Sequence, residues 1–344
     1  MPTRADLKGK AQTVLGIVDP ATLGDVLMHE HLLWDINPPD VPTAGLPPMT
    51  VDRQWAMVNG EVHVEANLKN RSVDVAVEAV AEAHAHGAGT IVELTIGGLK
   101  PDPEGLAEVS RRTGCHIVMG NGWYVDQYQH RDNIGRSADS FAKEMIAQVF
   151  EGAWGTSVRA GIVGEIGCQW PWTEREKTCL TGAVVAMQET GASLTIHPAR
   201  VPDHPMQLVN FLRPLGCDLS RTIIDHIDRT IGDDDRLFAL ADTGVVLEWD
   251  LFGQESTYYA PADFDMPNDI QRLRDIRKLI DRGHLSQIVI SHDICHLSHF
   301  TRFGGWGYGH IHKRVIPRAL KRGFTQAEIK AIMVDNPRRL LTFI

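Results

Sequence analysis

The 344-residue sequence predicts an α/β fold, a (β/α)8 TIM barrel, on three observations. Short runs rich in β-branched residues alternate with amphipathic helical runs along the whole chain. Eight such runs can be counted, more than a doubly wound sheet usually carries. The longest connections follow strands, on the face where barrel enzymes keep their sites.

The stretch TVLGIVDPATLG (13–24) reads as a short hairpin capping the barrel floor. The strand candidates are VLMHEHLL (26–33), TIVELT (90–95), HIVMGNG (116–122), AGIVGEIG (160–167), SLTIHP (193–198), RTIIDHID (221–228), VVLEWDLF (245–252) and IVISHD (288–293). Near-continuous apolar runs of this kind suit parallel strands buried on both faces. Between them, 72–87 has helical periodicity and ends at Gly87, a C-cap signal. The run 173–191 starts with Thr173, Glu174 and Glu176, an N-cap with an acidic first turn, and ends at Gly191. The long connections are 34–71, 250–269 and 294–312. With no linker, repeat or low-complexity segment, 1–344 reads as one barrel domain.

Apolar residues make up 43% of the chain, enough for a large core, and the net charge of -10 argues against a nucleic-acid partner. Cys115, Cys168, Cys179, Cys217 and Cys295 form no C-x-x-C pair and are odd in number, which predicts free thiols in a reducing compartment. The charged start MPTRADLKGK lacks the apolar core of a signal peptide, and no apolar run is long enough to span a bilayer. The expectation is a cytoplasmic protein acting on a small molecule, with no membrane partner.

His29 and His31 flank Glu30 inside the first strand. Alternation sends both imidazoles to one face and Glu30 to the other. Taken alone, H-x-H is more readily a pair of hydrogen-bonded core histidines than a metal site. Glu165, His197, His226 and Asp293 then close the fourth, fifth, sixth and eighth strands. Each has an ordinary explanation as a cap or a satisfied polar group, but capping does not explain all of them at one end of successive strands. Four histidines and two carboxylates suit two divalent ions, zinc first, with manganese or cobalt as alternatives. On this reading His29, His31 and Asp293 hold one ion, His197 and His226 hold the other, and Glu165 bridges them around a hydroxide. Asp293 is placed to take the proton of that nucleophile.

The motifs HEH, GEIG, IHP, DHIDRT and SHD, in this order, resemble the phosphotriesterase family of the amidohydrolase superfamily. GEIGCQWP, HIDRTI, EWDLFG and DMPND are most similar to its phosphotriesterase-related group. The resemblance implies a barrel with a binuclear metal site, the ligand roles above, and often a homodimer. It also implies hydrolysis of a carbonyl substrate: an amide such as an N-acyl amino acid or N-acetyltaurine, an ester or a lactone. Phosphotriester hydrolysis and a catalytically lapsed binding protein are the alternatives; none of the six ligands is missing, which disfavours the second. Two departures stand out. Many members carry a carboxylated lysine where this chain has Glu165. At the end of the seventh strand, where phosphotriesterases place a His and lactonases an Arg after the Asp, this chain has Asp250-Leu251.

Secondary expectations follow. Tyr124 either corresponds to a tyrosine that touches the substrate carbonyl in lactonases of the family or is a rim residue with a solvated hydroxyl. Arg229 is expected either to hold an anionic substrate tail or to pair with Asp228 or Asp225. Asp228 is expected to orient a ligand imidazole. The stretch 302–310, RFGGWGYGH, reads equally as a mobile lid or a fixed loop. His292 is read as structural, facing the helices, and His84 and His86 as solvated.

Overall fold

The computed structural model describes residues 1–39, 41–42, 45–256, 259, 261–262 and 264–344. Among these residues eight parallel strands form the barrel: β1 (Asp25–Glu30), β2 (Ala88–Glu93), β3 (His116–Met119), β4 (Val163–Gly167), β5 (Leu194–His197), β6 (Thr222–Ile224), β7 (Val246–Trp249) and β8 (Ile288–Ile290). They pair in chain order as β1-β2-β3 and β4 through β8. Single backbone bonds close the two seams. Gly161 N–H donates to Met119 O and Gly164 N–H to Asn121 O, each at 2.8 Å; Asp293 N–H donates to His29 O at 3.1 Å.

A helix follows each of the first seven strands: α1 (Val73–Ala85), α2 (Pro103–Thr113), α3 (Ala138–Phe150), α4 (Glu174–Thr190), α5 (His204–Leu212), α6 (Asp234–Ala241) and α7 (Asp269–Asp281). Their starts are set by local chemistry. Ser72, Asp102, Ser137 and Asp233 accept N–H bonds of the first turns, and Pro103 needs no N–H partner at the start of α2. Thr173 and Glu176 form the expected capping box, and Gly191 ends α4 with φ 78°. The chain closes with short helical segments, Ile316–Lys321, Gln326–Lys330 and Asn336–Leu341. The predicted hairpin lies slightly earlier than its sequence signal, at Ala11–Thr13 and Gly16–Val18. It is pinned to the barrel through Val14 N–H to Ile117 O and through Gln12 Nε2 to the carbonyls of Val149 and Ala160.

Strand alternation divides the core. Val26, Met28, Val92, Val118, Ile162, Ile223, Val246 and Val289 fill the barrel interior, whereas Leu27, Ile91, Ile117, Val163, Ile196, Ile224 and Leu247 pack under the helices. Unbroken alternation would therefore put His29 with Leu27, toward the helices. The register shows why it does not. Leu27 pairs with Ile91 but Glu30 with Glu93, so β1 carries one extra residue, a bulge. Beyond it His29 and His31 face inward and Glu30 outward. β4 has the same irregularity, with Val163 opposite Leu194 but Ile166 opposite Ile196, and Glu165 lies within it.

Outward-facing Glu30 is fully buried and holds the end of β8. Its Oε1 accepts from Ser291 Oγ (2.8 Å), His292 N–H (3.0 Å) and His292 Nδ1 (2.6 Å), and its Oε2 accepts from Ile294 N–H (3.1 Å). These bonds straddle Asp293, whose φ of 48° is unfavourable for a residue with a Cβ. His292 Nε2 accepts from Ile311 N–H, so the ring is the neutral Nδ1–H tautomer and is structural, as expected. Glu30→Gln replaces a charged acceptor by an amide in a pocket of donors. It should cost about 2–4 kcal/mol in urea unfolding, as lost charge-assisted bonds do. A change under about 0.5 kcal/mol would mean that the clamp carries little of the fold.

Candidate active site

At the C-terminal ends of the strands the six predicted ligand residues meet. His29 Nε2 lies 3.5 Å from Glu165 Oε1 and 3.7 Å from Asp293 Oδ1; His31 Nε2 lies 3.4 Å and 3.2 Å from the same oxygens. Around the other oxygen, His197 Nδ1 is 2.9 Å and His226 Nε2 3.6 Å from Glu165 Oε2, and the two nitrogens are 2.8 Å apart. Glu165 thus turns one oxygen toward each set. Tetrahedral ligands about 2.1 Å from a zinc ion stand roughly 3.4 Å apart. The first set matches that spacing, and the second is slightly tighter.

Burial makes the same demand. Neither nitrogen of fully buried His29 has a hydrogen-bond partner, a costly state for an imidazole and the ordinary one for a metal ligand. Desolvation alone would lower His31; the carboxylates of Asp293 and Glu165 outweigh it and raise the imidazole to about 10. Burial would raise Asp293, but the His31 and His29 imidazoles hold it well below the usual carboxylate range. The donor set therefore calls for positive charge, and two divalent cations fit it.

The imidazoles are oriented from behind by a residue the sequence reading passed over. Asp250 Oδ2 accepts from His226 N–H at 2.9 Å, and its Oδ1 lies 2.8 Å from His226 Nδ1. Its Oδ2 is also 3.4 Å from His29 Nδ1. One carboxylate thus backs a histidine of each set, and it fixes His226 in a left-handed conformation with φ 54°. Its position was a usable signal: it is the polar residue just past an apolar strand, as the other ligand candidates are. Asp225 and Glu248 lie deeper, both fully buried, and with His29 and Asp250 they form a tight cluster. Burial pushes Asp225 up to about 8 and Glu248 well above the carboxylate range.

Asp228 does not orient an imidazole. It accepts from Arg272 Nε at 2.7 Å and from Leu251 N–H at 3.1 Å, and Arg272 also bonds Asp269. A fully buried arginine outcompetes a neutral imidazole for a buried carboxylate. This removes one of the two ion pairs considered for Arg229, and the other candidate, Asp225, accepts from Thr195 Oγ1 at 2.6 Å, so that among the described residues Arg229 pairs with neither. Its guanidinium instead meets Thr230 Oγ1, Pro198 O and His197 Nε2, each at 3.2 Å, and lines the cavity above the six residues.

That cavity holds about 310 Å3, at the small end for ligand pockets. Ile36, Met57, Val58, Leu68 and Leu99 give it an apolar wall, opposed by Arg229 and Arg200. Tyr124 lines it, with Oη 3.4 Å from His197 Nε2. Cys295, His296 and His299, which gave no site signal in sequence, also reach it. Burial lowers His296 to about 4, so that ring is a neutral hydrogen-bonding surface. The 302–310 loop packs behind this wall. Trp306 stacks on His299 with centroids 4.1 Å apart, and buried Tyr308 donates its hydroxyl to the His31 carbonyl. It is a fixed buttress. His84 and His86 are exposed, as expected.

Comparison with known proteins gives one consistent result. The profile of the Phosphotriesterase family matches residues 9–341. An N-acetyltaurine hydrolase from Bos taurus is 37% identical, over 98% of this chain and 99% of its own length. Among solved structures, a resiniferatoxin-binding protein from Rhodobacter sphaeroides superimposes with a TM-score of 0.91 at 31% identity, covering 99% of this chain and 98% of that one. A lactonase from Listeria monocytogenes shares the fold with a TM-score of 0.80 at 22% identity, over 97% of this chain and 99% of that one.

Asp250→Asn keeps one acceptor but cannot serve both histidines. It should weaken metal affinity by about 10–100-fold in a chelator competition while leaving the circular dichroism spectrum intact. Unchanged affinity would show that His226 and His29 hold their orientation without it.

Proposed function

The chain belongs to the phosphotriesterase family and is a hydrolase, and on that premise we propose that it uses two divalent metal ions to cleave the amide of a small anionic N-acyl compound. The observation that carries the metal reading is the division of the Glu165 oxygens between two nitrogen-rich sets. His29, His31 and Asp293 would hold one ion and His197 and His226 the other, with Glu165 shared; zinc suits the donors, with manganese or cobalt as substitutes. Bound there, such ions acidify a water to a nucleophile near neutral pH and polarise the carbonyl.

The chain's own groups supply the rest. Asp293 is the carboxylate nearest the cavity that can accept the nucleophile's proton and return it to the leaving amine. Tyr124 and Arg229 both line the cavity; Tyr124 Oη would donate to the substrate carbonyl oxygen, and Arg229 would pair with the anionic end. The apolar wall receives a short acyl group. Arg229, the small cavity and the likeness to N-acetyltaurine hydrolases together support an N-acyl amino acid or N-acetyltaurine over a neutral ester or lactone. Leu251, apolar at the end of β7, offers nothing to a phosphotriester. The family resemblance supports a homodimer as the working state, and the unpaired cysteines support a reducing, cytoplasmic setting; no helix among the described residues is long and apolar enough to cross a membrane.

Elemental analysis after gentle purification should find about two divalent ions per chain, and reconstitution should need no bicarbonate, since Glu165 is itself a carboxylate. Fewer than one ion per chain after incubation with zinc or manganese would sink the binuclear reading. In the same preparation Asp293→Asn should lose about 10²–10⁴-fold in kcat while keeping much of the metal. Near wild-type turnover would take the proton-transfer role away from Asp293.

A substrate panel tests the organic half. N-acetyltaurine and N-acyl amino acids should exceed paraoxon in kcat/KM, and Arg229→Ala should raise KM for the anionic amides far more than for a neutral ester. Paraoxon as the best substrate would overturn the proposal.

A further inference from the structure

The loops after β7 and β8 both line the cavity, the first through Leu251 and Gln254, the second through Cys295, His296 and His299. Neither stretch belongs to the barrel ladder, so their backbone groups need other partners.

For the earlier loop the first turn of α7 supplies them. Leu251 N–H donates to Asp228, which Arg272 holds in place. Gly253 N–H donates to Asp269 Oδ1 at 2.9 Å, and Gln254 O accepts from Arg272 Nη2 at 2.8 Å. Glu255 Oε1 in turn accepts from Asp269 N–H at 2.8 Å. Asp269 and Arg272 are both buried. A buried carboxylate is a costly acceptor for a single peptide N–H, which a neutral side chain could serve.

The second oxygen of Asp269 shows what the charge adds. Oδ2 accepts from His310 Nε2 at 2.7 Å, and His310 lies in the loop after β8. His310 Nδ1 is buried without a partner, so this is the ring's one hydrogen bond among the described residues. Burial would raise Asp269, but the His310 bond and the Arg272 charge hold its carboxyl below the usual range. The two loops also meet through packing. Gly253 has φ 93°, and a Cβ there would collide with the Trp306 indole. Trp306 stacks on His299, a wall residue of the cavity. A shift of either loop is therefore passed to that wall.

We propose that Asp269 and His310 are positioning residues that lock the loops after β7 and β8 together, and so set the width of the cavity between Gln254 and His299. The consequence for substrate size rests on the amide reading above; the lock itself does not.

Three variants test it. His310→Phe keeps a ring and removes the donor, His310→Gln restores a donor at similar reach, and Asp269→Asn keeps an acceptor for Gly253 without the charge. Two measurements on metal-loaded protein read the result. Maleimide labelling, mapped by mass spectrometry, reports access to Cys295 in the cavity wall, with buried Cys115 as the reference for general loosening. Kinetics compare N-acetyltaurine with N-octanoyltaurine. His310→Phe should label Cys295 about tenfold faster at an unchanged Cys115 rate. It should raise KM for N-acetyltaurine about fivefold with kcat within about twofold, and move the kcat/KM ratio about tenfold toward the octanoyl amide. Asp269→Asn should change the same readouts in the same direction, and His310→Gln should return them most of the way to wild type. Unchanged Cys295 labelling in His310→Phe overturns the lock, as does a change that His310→Gln fails to rescue or one that accelerates Cys115 equally. Faster Cys295 labelling that His310→Gln reverses, with neither amide turned over, would keep the lock and remove the amide reading.

Discussion

Two buried carboxylates govern the arrangement of the site. Asp293 and His226 both sit in left-handed backbone conformations that a side chain disfavours, and each is fixed by an acid behind it: Glu30 for Asp293, Asp250 for His226. The N–H groups exposed by leaving the strand geometry need acceptors in a region without water, and these carboxylates supply them. Once the strand ends are bent and held, the side chains of β1, β4, β5, β6 and β8 can point at a common volume. The helices, caps and hairpin provide a frame stiff enough to keep them there.

Much of this was readable before any coordinates. Eight apolar runs announced the strands, and polar residues ending them announced the site, because parallel barrel strands tolerate such residues only at their C-terminal ends. What escaped were features with no local signature. The bulges in β1 and β4 are visible only in the pairing register, and without them simple alternation would have aimed His29 at the helices. Asp228 lies in the turn four residues beyond β6 and Asp250 directly after β7; Arg272 in α7 takes Asp228, and Asp250 backs the imidazole. Arg200 and His296 face the cavity by virtue of loop paths that no periodicity encodes.

The interior beneath the site carries its own electrostatic logic. Asp225, Glu248 and Asp250 lie together under His29 with no solvent contact. Burial and the mutual repulsion of the acids raise Asp225 and Glu248 above the usual carboxylate range. Above this layer the six residues around Glu165 require cations. The cavity beyond them is lined by arginines. The site is thus layered along the barrel axis, from a buried acid layer through a cation-demanding set to a mouth lined by arginines.

The bulges have a consequence for how this gene tolerates change. Because His29 faces inward through one extra residue between Leu27 and Glu30, the length of that segment matters as much as its composition. Exchanging one apolar side chain for another in Val26–Met28 alters packing locally. Losing a single codon there would leave a regular strand in which both imidazoles still face inward, but without the local bend by which the bulge aims them at Glu165, with every functional residue still encoded. In β1 and β4, then, an in-frame deletion is a more damaging event than a missense change, and alignments of relatives should place their gaps elsewhere.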